Sequence, residues 1–277
     1  MAKSLNALAA LLVLVGCQDQ EAPAAARTAA ADGSPAAAEL PSEPAVPDAT
    51  DPDAKARNEK IDNGVYEFAY SYPAKAARYS NLREWLDGRL EKQRGEVEKS
   101  AREDKANAEK DGYPYRPHSS ETEWKVVTDL PGWLSLSAES YEYTGGAHGM
   151  SYFDTLLWDK AARKVREPTE LFASSAALRD AIQKPFCDAL DRERAKRRGE
   201  PVQRDNGDTF NECINPLESV VILGSKSGKG FDRLGVLVAP YAAGAYAEGS
   251  YEVTLPITPA VVRAAKPEYR GAFATGG

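Results

Sequence analysis

The chain has 277 residues, 42% hydrophobic and 28% charged, enough to bury one good core or two small ones. A formal net charge of −7 argues against nucleic acid as a partner, since phosphate binding needs a basic face, and makes cationic partners the natural electrostatic match. Two histidines and three cysteines, none at metal-ligand spacing, give no expectation of a metal or a cofactor.

Met1-Ala2-Lys3 supplies a positive start, Leu5 to Val15 an apolar run, and Leu14-Val15-Gly16 small residues before Cys17. Residues 1–16 therefore read as a signal peptide, too short to span a bilayer stably. The spacing resembles the bacterial lipoprotein signal, in which Cys17 would become the first mature residue and carry the lipid. A plain secretory signal with an incidental cysteine is the alternative. On the first reading the protein lies outside the cytoplasm, lipid-anchored to a bacterial membrane. Residues 17–60 then form the lipidated cysteine and a disordered tether, because Ala, Pro, Asp and Glu dominate and little apolar surface offsets ordering entropy.

Val65 to Tyr72 alternates, with Tyr66, Phe68 and Tyr70 on one face, and predicts a strand ended by Pro73. From Ser80 or Asn81, the residues Leu82, Trp85, Leu86, Leu90, Val97 and Ala101 recur at helical spacing and predict one long amphipathic helix. Its charged remainder, Glu91 to Lys110, is either a solvated face or a protein-binding surface. Asp111-Gly112 breaks the helix, and Tyr113-Pro114-Tyr115-Arg116-Pro117-His118 reads as a stiff extended loop. Tyr113, Tyr115 and Arg116 are residue types favoured at interfaces; packing of the tyrosines on the helix is the alternative.

Strands are expected at Glu123–Val127, Trp133–Tyr143 and Tyr152–Trp158, joined antiparallel by short connections. The connection Thr144-Gly145-Gly146-Ala147-His148-Gly149 holds three glycines in five residues, so its backbone can enter the left-handed region. His148 either ties this loop to a carbonyl or contacts a ligand. Leu178, Ile182, Phe186, Ala189 and Leu190 mark a second amphipathic helix, bent or begun at Pro185 and ended at Gly199. Its tail, Arg192 to Arg198, either places cations at a helix C-terminus or contacts anionic lipid or wall polymer. Cys187 and Cys213 are expected to pair in an exported chain, which would stabilise by about 3 to 4 kcal/mol.

Three further strands are expected at Ser219–Leu223, Phe231–Val238 and Ser250–Pro256. The intervening Gly224-Ser225-Lys226-Ser227-Gly228-Lys229-Gly230 fails the phosphate-loop pattern, having three residues between its glycines and no Ser or Thr after Lys229, and reads as a hairpin. No nucleophile elbow or zinc-protease motif occurs, so no catalytic residue is expected. An envelope hydrolase using paired carboxylates is the alternative, since an acidic chain always offers candidates.

Tyr143 to Gly149, the following aromatic strand, Asp159 and Glu170-Leu171-Phe172 resemble the extracellular domain family of RsiV, the lysozyme-sensing anti-sigma factor. The same domain pair stands beside the catalytic domain of the peptidoglycan deacetylase PdaC. Ala239 to Gly244, with Tyr251 to Pro256, is similar to the family's closing strand region. The resemblance implies an α+β fold, an antiparallel sheet with two long amphipathic helices in two family-like halves, 61–143 and 144–265, and leaves 266–277 as a flexible tail. It further implies a non-catalytic binding protein with lysozyme or peptidoglycan as partner; the candidate contacts are Tyr113, Tyr115 and Arg116, from their residue types, and Tyr143, Gly145, Gly146 and His148, from the glycine loop.

Overall fold

The computed structural model describes residues 50–204 and 206–275; the expected signal peptide, Cys17 and most of the tether lie outside the described residues. The aromatic alternation is realised in strand β2 (Tyr66–Tyr72), which turns Tyr66, Phe68, Tyr70 and Tyr72 into the core. Strand β1 (Arg57–Asp62) pairs with it antiparallel. The short helix α1 (Ala74–Ala77) leads into the 32-residue helix α2 (Ser80–Asp111), which buries Leu82, Leu86, Leu90, Val97 and Ala101 along one stripe. Gly112 ends it at φ 73°, a left-handed cap that glycine adopts without a Cβ penalty.

Strands β3 (His118–Asp129), β4 (Trp133–Tyr143), β5 (Met150–Asp159) and β6 (Lys164–Arg166) complete a six-stranded sheet in the order β1 to β6. All neighbours are antiparallel except β2 and β3, which run parallel because α2 carries the chain back across the sheet. Helix α3 (Ser175–Arg198) follows, its N-cap Ser174 accepting from Ala177 N at 3.0 Å. A three-stranded antiparallel sheet, β7 (Val220–Gly224), β8 (Arg233–Val238) and β9 (Tyr251–Pro256), and helix α4 (Pro259–Ala264) complete the element order apart from short 3-10 turns.

The end of β5 explains how these layers meet. Leu156 and Trp158 join a core with β2, β4 and α2, whereas Leu157 between them joins a second core with α3, α4 and β7 to β9. A strand covered on both faces reads as a continuous apolar run, as Leu156-Leu157-Trp158 does.

Several expectations need correction. The tether does not continue to residue 60: Asp51 N donates to Arg78 O at 2.9 Å, and β1 starts at Arg57. The expected division at 143/144 falls inside one sheet, because β4 and β5 pair from Trp133↔Asp159 to Glu142↔Met150 across the glycine loop. Of the two readings of Pro185, the helix does not begin there; the proline sits inside α3 on the solvent side, where water can serve the carbonyl left without a donor. The tail 266–277 is not loose over its described part: Pro267–Ala272 is a 3-10 turn, and Phe273 packs on Phe172 and Phe231.

Candidate functional site: a corner pocket and the trench behind it

After Gly112 the chain passes over the end of α2 before entering β3. Tyr115 anchors this passage, its hydroxyl donating to Val65 O at 2.6 Å, while Tyr113 stands 51% exposed. Burial raises the Tyr115 hydroxyl above its ordinary pKa, so it stays a donor at physiological pH. Arg116 reaches the glycine loop, donating to Gly146 O at 3.1 Å and Tyr143 Oη at 3.4 Å; Tyr143 donates to the same carbonyl at 3.3 Å. Gly145 and Gly146, at φ 96° and 88°, supply the left-handed turn that aims this carbonyl at Arg116. The two segments enclose a cavity of about 330 Å³ lined by Tyr113, Tyr115, Arg116, Thr144, Gly145 and Gly146, with Asp104 and His118 below.

His118 was expected in the loop; it is instead the first residue of β3, buried, and it ties the sheet to α2. Asp104 Oδ2 lies 3.0 Å from its Nε2, and Ser100 Oγ lies 3.2 Å from its Nδ1. A carboxylate only accepts, so Nε2 donates to Asp104, while Nδ1 faces the Ser100 hydroxyl, which itself donates to Val97 O at 3.2 Å. Serine, histidine and aspartate in contact are the ingredients of a nucleophilic triad. Here the carboxylate meets Nε2 and the serine lies mid-helix, where backbone N–H groups serve the helix rather than an oxyanion.

From the pocket a polar trench follows α2 toward its N-terminal half. One cavity of about 240 Å³ is lined by Glu96, Val97, Ser100, Ser119, Glu142 and Thr144 among others. The next, of about 390 Å³, ends at Arg89, Tyr152, Phe153 and Asp154. Gln93 Nε2 donates to Ser120 Oγ and Thr122 Oγ1, both at 2.9 Å, and Thr122 Oγ1 meets Ser140 Oγ at 2.8 Å. Arg89 closes an ion pair with Asp154, and Tyr152 donates to Glu142 at 2.9 Å. Burial first, then the Glu142 carboxylate, push the Tyr152 hydroxyl up to about 12.

Residues 59–151 match the family described as Deacetylase PdaC. Two solved structures are also similar. One is a DUF3298-family protein of Bacteroides fragilis NCTC 9343, at 16% identity and TM-score 0.43, covering 76% of this chain and 92% of that one. The other is a DUF3298-family protein of Pseudomonas aeruginosa PAO1, at 16% identity and TM-score 0.40, covering 79% and 96%. No curated protein matches the chain significantly.

The matched segment contains both walls of the corner pocket, Tyr113–Arg116 and Tyr143–Gly146, and all of α2. His148, though inside the segment, does not join them. Its ring stacks on Tyr246 at 3.9 Å between centroids, its Nε2 lies 3.4 Å from Tyr241 Oη, and its Nδ1 lies 2.9 Å from Gly149 O. The glycine loop thus serves two places, Gly146 at the pocket and His148 at the connection after β8. No spacing in the sequence relates Tyr241 and Tyr246 to His148, so the cluster was missed.

Other expected features resolve plainly. Cys187 and Cys213 form a disulfide with Cα atoms 5.4 Å apart, and Gln183 Nε2 lies 3.2 Å from both sulfurs. The basic tail of α3 is largely consumed internally. Arg194 is fully buried and donates to Ala243 O at 2.9 Å and Glu212 O at 3.0 Å, Arg198 pairs with Glu248 at 3.0 Å, and Arg197 lies 4.0 Å over the Tyr251 ring. Among the described residues, no group of three or more His, Cys, Asp or Glu side chains is placed to hold a metal ion, and no helix is long and apolar enough to cross a membrane.

Proposed function

We propose that this chain is a non-catalytic recognition protein of the bacterial envelope, held at a membrane through a lipid on Cys17, whose corner pocket contacts lysozyme or peptidoglycan. The observation that carries the reading is the meeting of Tyr113, Tyr115 and Arg116 with Gly145 and Gly146 in one cavity. These were singled out from two stretches about thirty residues apart, for reasons unrelated to each other. A tyrosine and an arginine already held by Val65 O and Gly146 O lose little freedom on binding, which is what interface anchors require. The acidic balance suits a cationic protein ligand, and the PdaC-family match supports an envelope setting.

The test is a titration of the Cys17→Ser chain with lysozyme beside a pulldown on purified peptidoglycan. Arg116→Ala should weaken the complex about tenfold, close to 1.4 kcal/mol, with the melting temperature unchanged. Association with lysozyme should slow as salt rises, because attraction between opposite net charges is screened over about 8 Å at physiological ionic strength. No complex with either ligand at tens of micromolar sinks the proposal. The carboxylates Glu96, Glu142 and Asp154 along the trench support a second reading, an envelope glycan hydrolase, which release of soluble sugars from purified wall would favour.

A further inference from the structure

We infer that Cys213 is a thiol-exchange site: an incoming thiolate attacks its sulfur, and Cys187 is the sulfur that leaves. The partner class is a small thiol or a dithiol protein. This goes beyond the proposed function and stands whichever ligand the corner pocket holds.

The two sulfurs of the bridge differ in access. Cys187 sits within α3, 6% exposed, in the same buried cluster as Phe186 and Leu190. Cys213 only packs against that cluster from outside, on the connection from Gly199 to Asn215, which holds no helix or strand among its described residues. A thiolate must reach the sulfur it attacks, so the accessible member of the pair is the electrophile.

They differ also in what would face a negative charge. Gln183 Nε2 lies 3.2 Å from both sulfurs and donates to Ile214 O at 2.9 Å, so one of its two N–H groups serves that carbonyl and the other points at the bridge. Gln183 and Cys187 stand four residues apart on α3 and share a face, so this donor stays beside Cys187 after the bridge opens. Cys213 has the opposite neighbour: Ile214 O lies 3.4 Å from its sulfur and, as an acceptor, repels a thiolate there. Negative charge is better placed on Cys187, and the better-stabilised thiolate leaves faster.

In the first step a bond forms between the attacking sulfur and Cys213 Sγ, the bond between the two cysteines breaks, and its electron pair goes to Cys187 Sγ, which takes a proton from solvent. A dithiol completes the two-electron reduction. Its second thiolate attacks its own sulfur in the mixed disulfide, frees Cys213 as a thiol and leaves as the oxidised disulfide. Helix α3 stays folded throughout, because Arg194 keeps its bond to Glu212 O at 3.0 Å and Arg198 its pairing with Glu248 at 3.0 Å while the Cys213 side chain turns outward.

The experiment uses the Cys17→Ser chain, which removes the third cysteine from the exchange, with glutathione as the probe and iodoacetamide as the quench. Peptide mass spectrometry should find glutathione on Cys213 and the alkyl group on Cys187, with the reverse pattern about tenfold rarer. The rate should be first order in glutathione and unmoved by urea too dilute to unfold the chain, as attack on the folded molecule requires. Gln183→Leu should slow the exchange about fivefold; should that variant fail to fold, the mapping in the parent chain decides. Glutathione found mainly on Cys187 overturns the inference, and so does a rate that climbs with urea in step with global unfolding. A bridge that millimolar glutathione opens only in the denatured chain overturns it as well.

Discussion

Helices α2 and α3 look alike in sequence, each an apolar stripe under a dense run of charge, yet they spend that charge in opposite ways. On α2 many of the pairs are exposed and within the helix, such as Arg102 with Glu98 at 2.7 Å and Lys99 with Glu103 at 4.0 Å, and one polar face stays open as the wall of the trench. On α3 the cations turn inward: Arg194 and Arg198 bind the segment around Asn211 and the loop around Glu248, and a disulfide fixes the same helix to Cys213. The difference follows from what lies opposite. α2 lies on one face of the six-stranded sheet, packed with β2, β4 and β5, whereas α3 is wrapped by long connections whose carbonyls need donors.

Removing Arg194 and reducing the disulfide test the closed side about equally hard. Arg194→Leu would strip the carbonyls of Ala243 and Glu212 of their donor in a fully buried setting, a loss of about 3 kcal/mol and on the order of 10 °C in melting temperature by calorimetry. A change within 2 °C would mean that α3 is no more locked than α2. Next comes the disulfide. Its 26-residue separation corresponds to about 3.5 kcal/mol on the chain-entropy model, so reduction should lower the melting temperature and speed amide exchange between Gly199 and Asn215.

Acid gives a smaller effect of defined sign. Burial alone would raise Glu248, but the hydrogen bonds from Tyr251 and Arg198 and the charge of Arg198 outweigh it and hold the carboxyl below its ordinary value. A carboxyl depressed in the folded state adds stability that is complete above its unfolded pKa, about 4.3, and is lost as pH falls through the folded value. The α3 tail should therefore loosen below about pH 4, and Glu248→Gln should flatten the acid limb of a melting-temperature profile. The smallest effect belongs to α2: Lys99→Gln, at an exposed pair, should leave the melting temperature unmoved.

Where local pattern decides an element, the sequence was readable. Trp133–Tyr143 alternates along its length and forms β4 with those bounds, and Gly199 caps α3 with φ 76°, as a glycine after a charged helix suggests. Where a partner decides, it was not. Arg57-Asn58-Glu59-Lys60-Ile61-Asp62 has no apolar face, and its strand state comes from pairing with β2. His118 looked like loop because prolines precede it; its place in β3 depends on parallel pairing with Tyr66, 52 positions earlier. The corner pocket was foreseen by residue type, but its separation from His148 was not. The rings that claim His148 belong to a connection about ninety residues further on.

The six-stranded sheet begins at β1 and ends at β6, and both outer strands are poor templates for addition. β1 carries Arg57, Glu59, Lys60 and Asp62, and β6 is three residues long with a cation at each end. Charge and brevity at an edge discourage a neighbouring copy from extending the sheet. That matters most if the Cys17 anchor holds many copies on one membrane, where lateral crowding brings like edges together far more often than free diffusion does. The sheet is protected along the two borders at which a crowded film of such molecules would otherwise begin to polymerise.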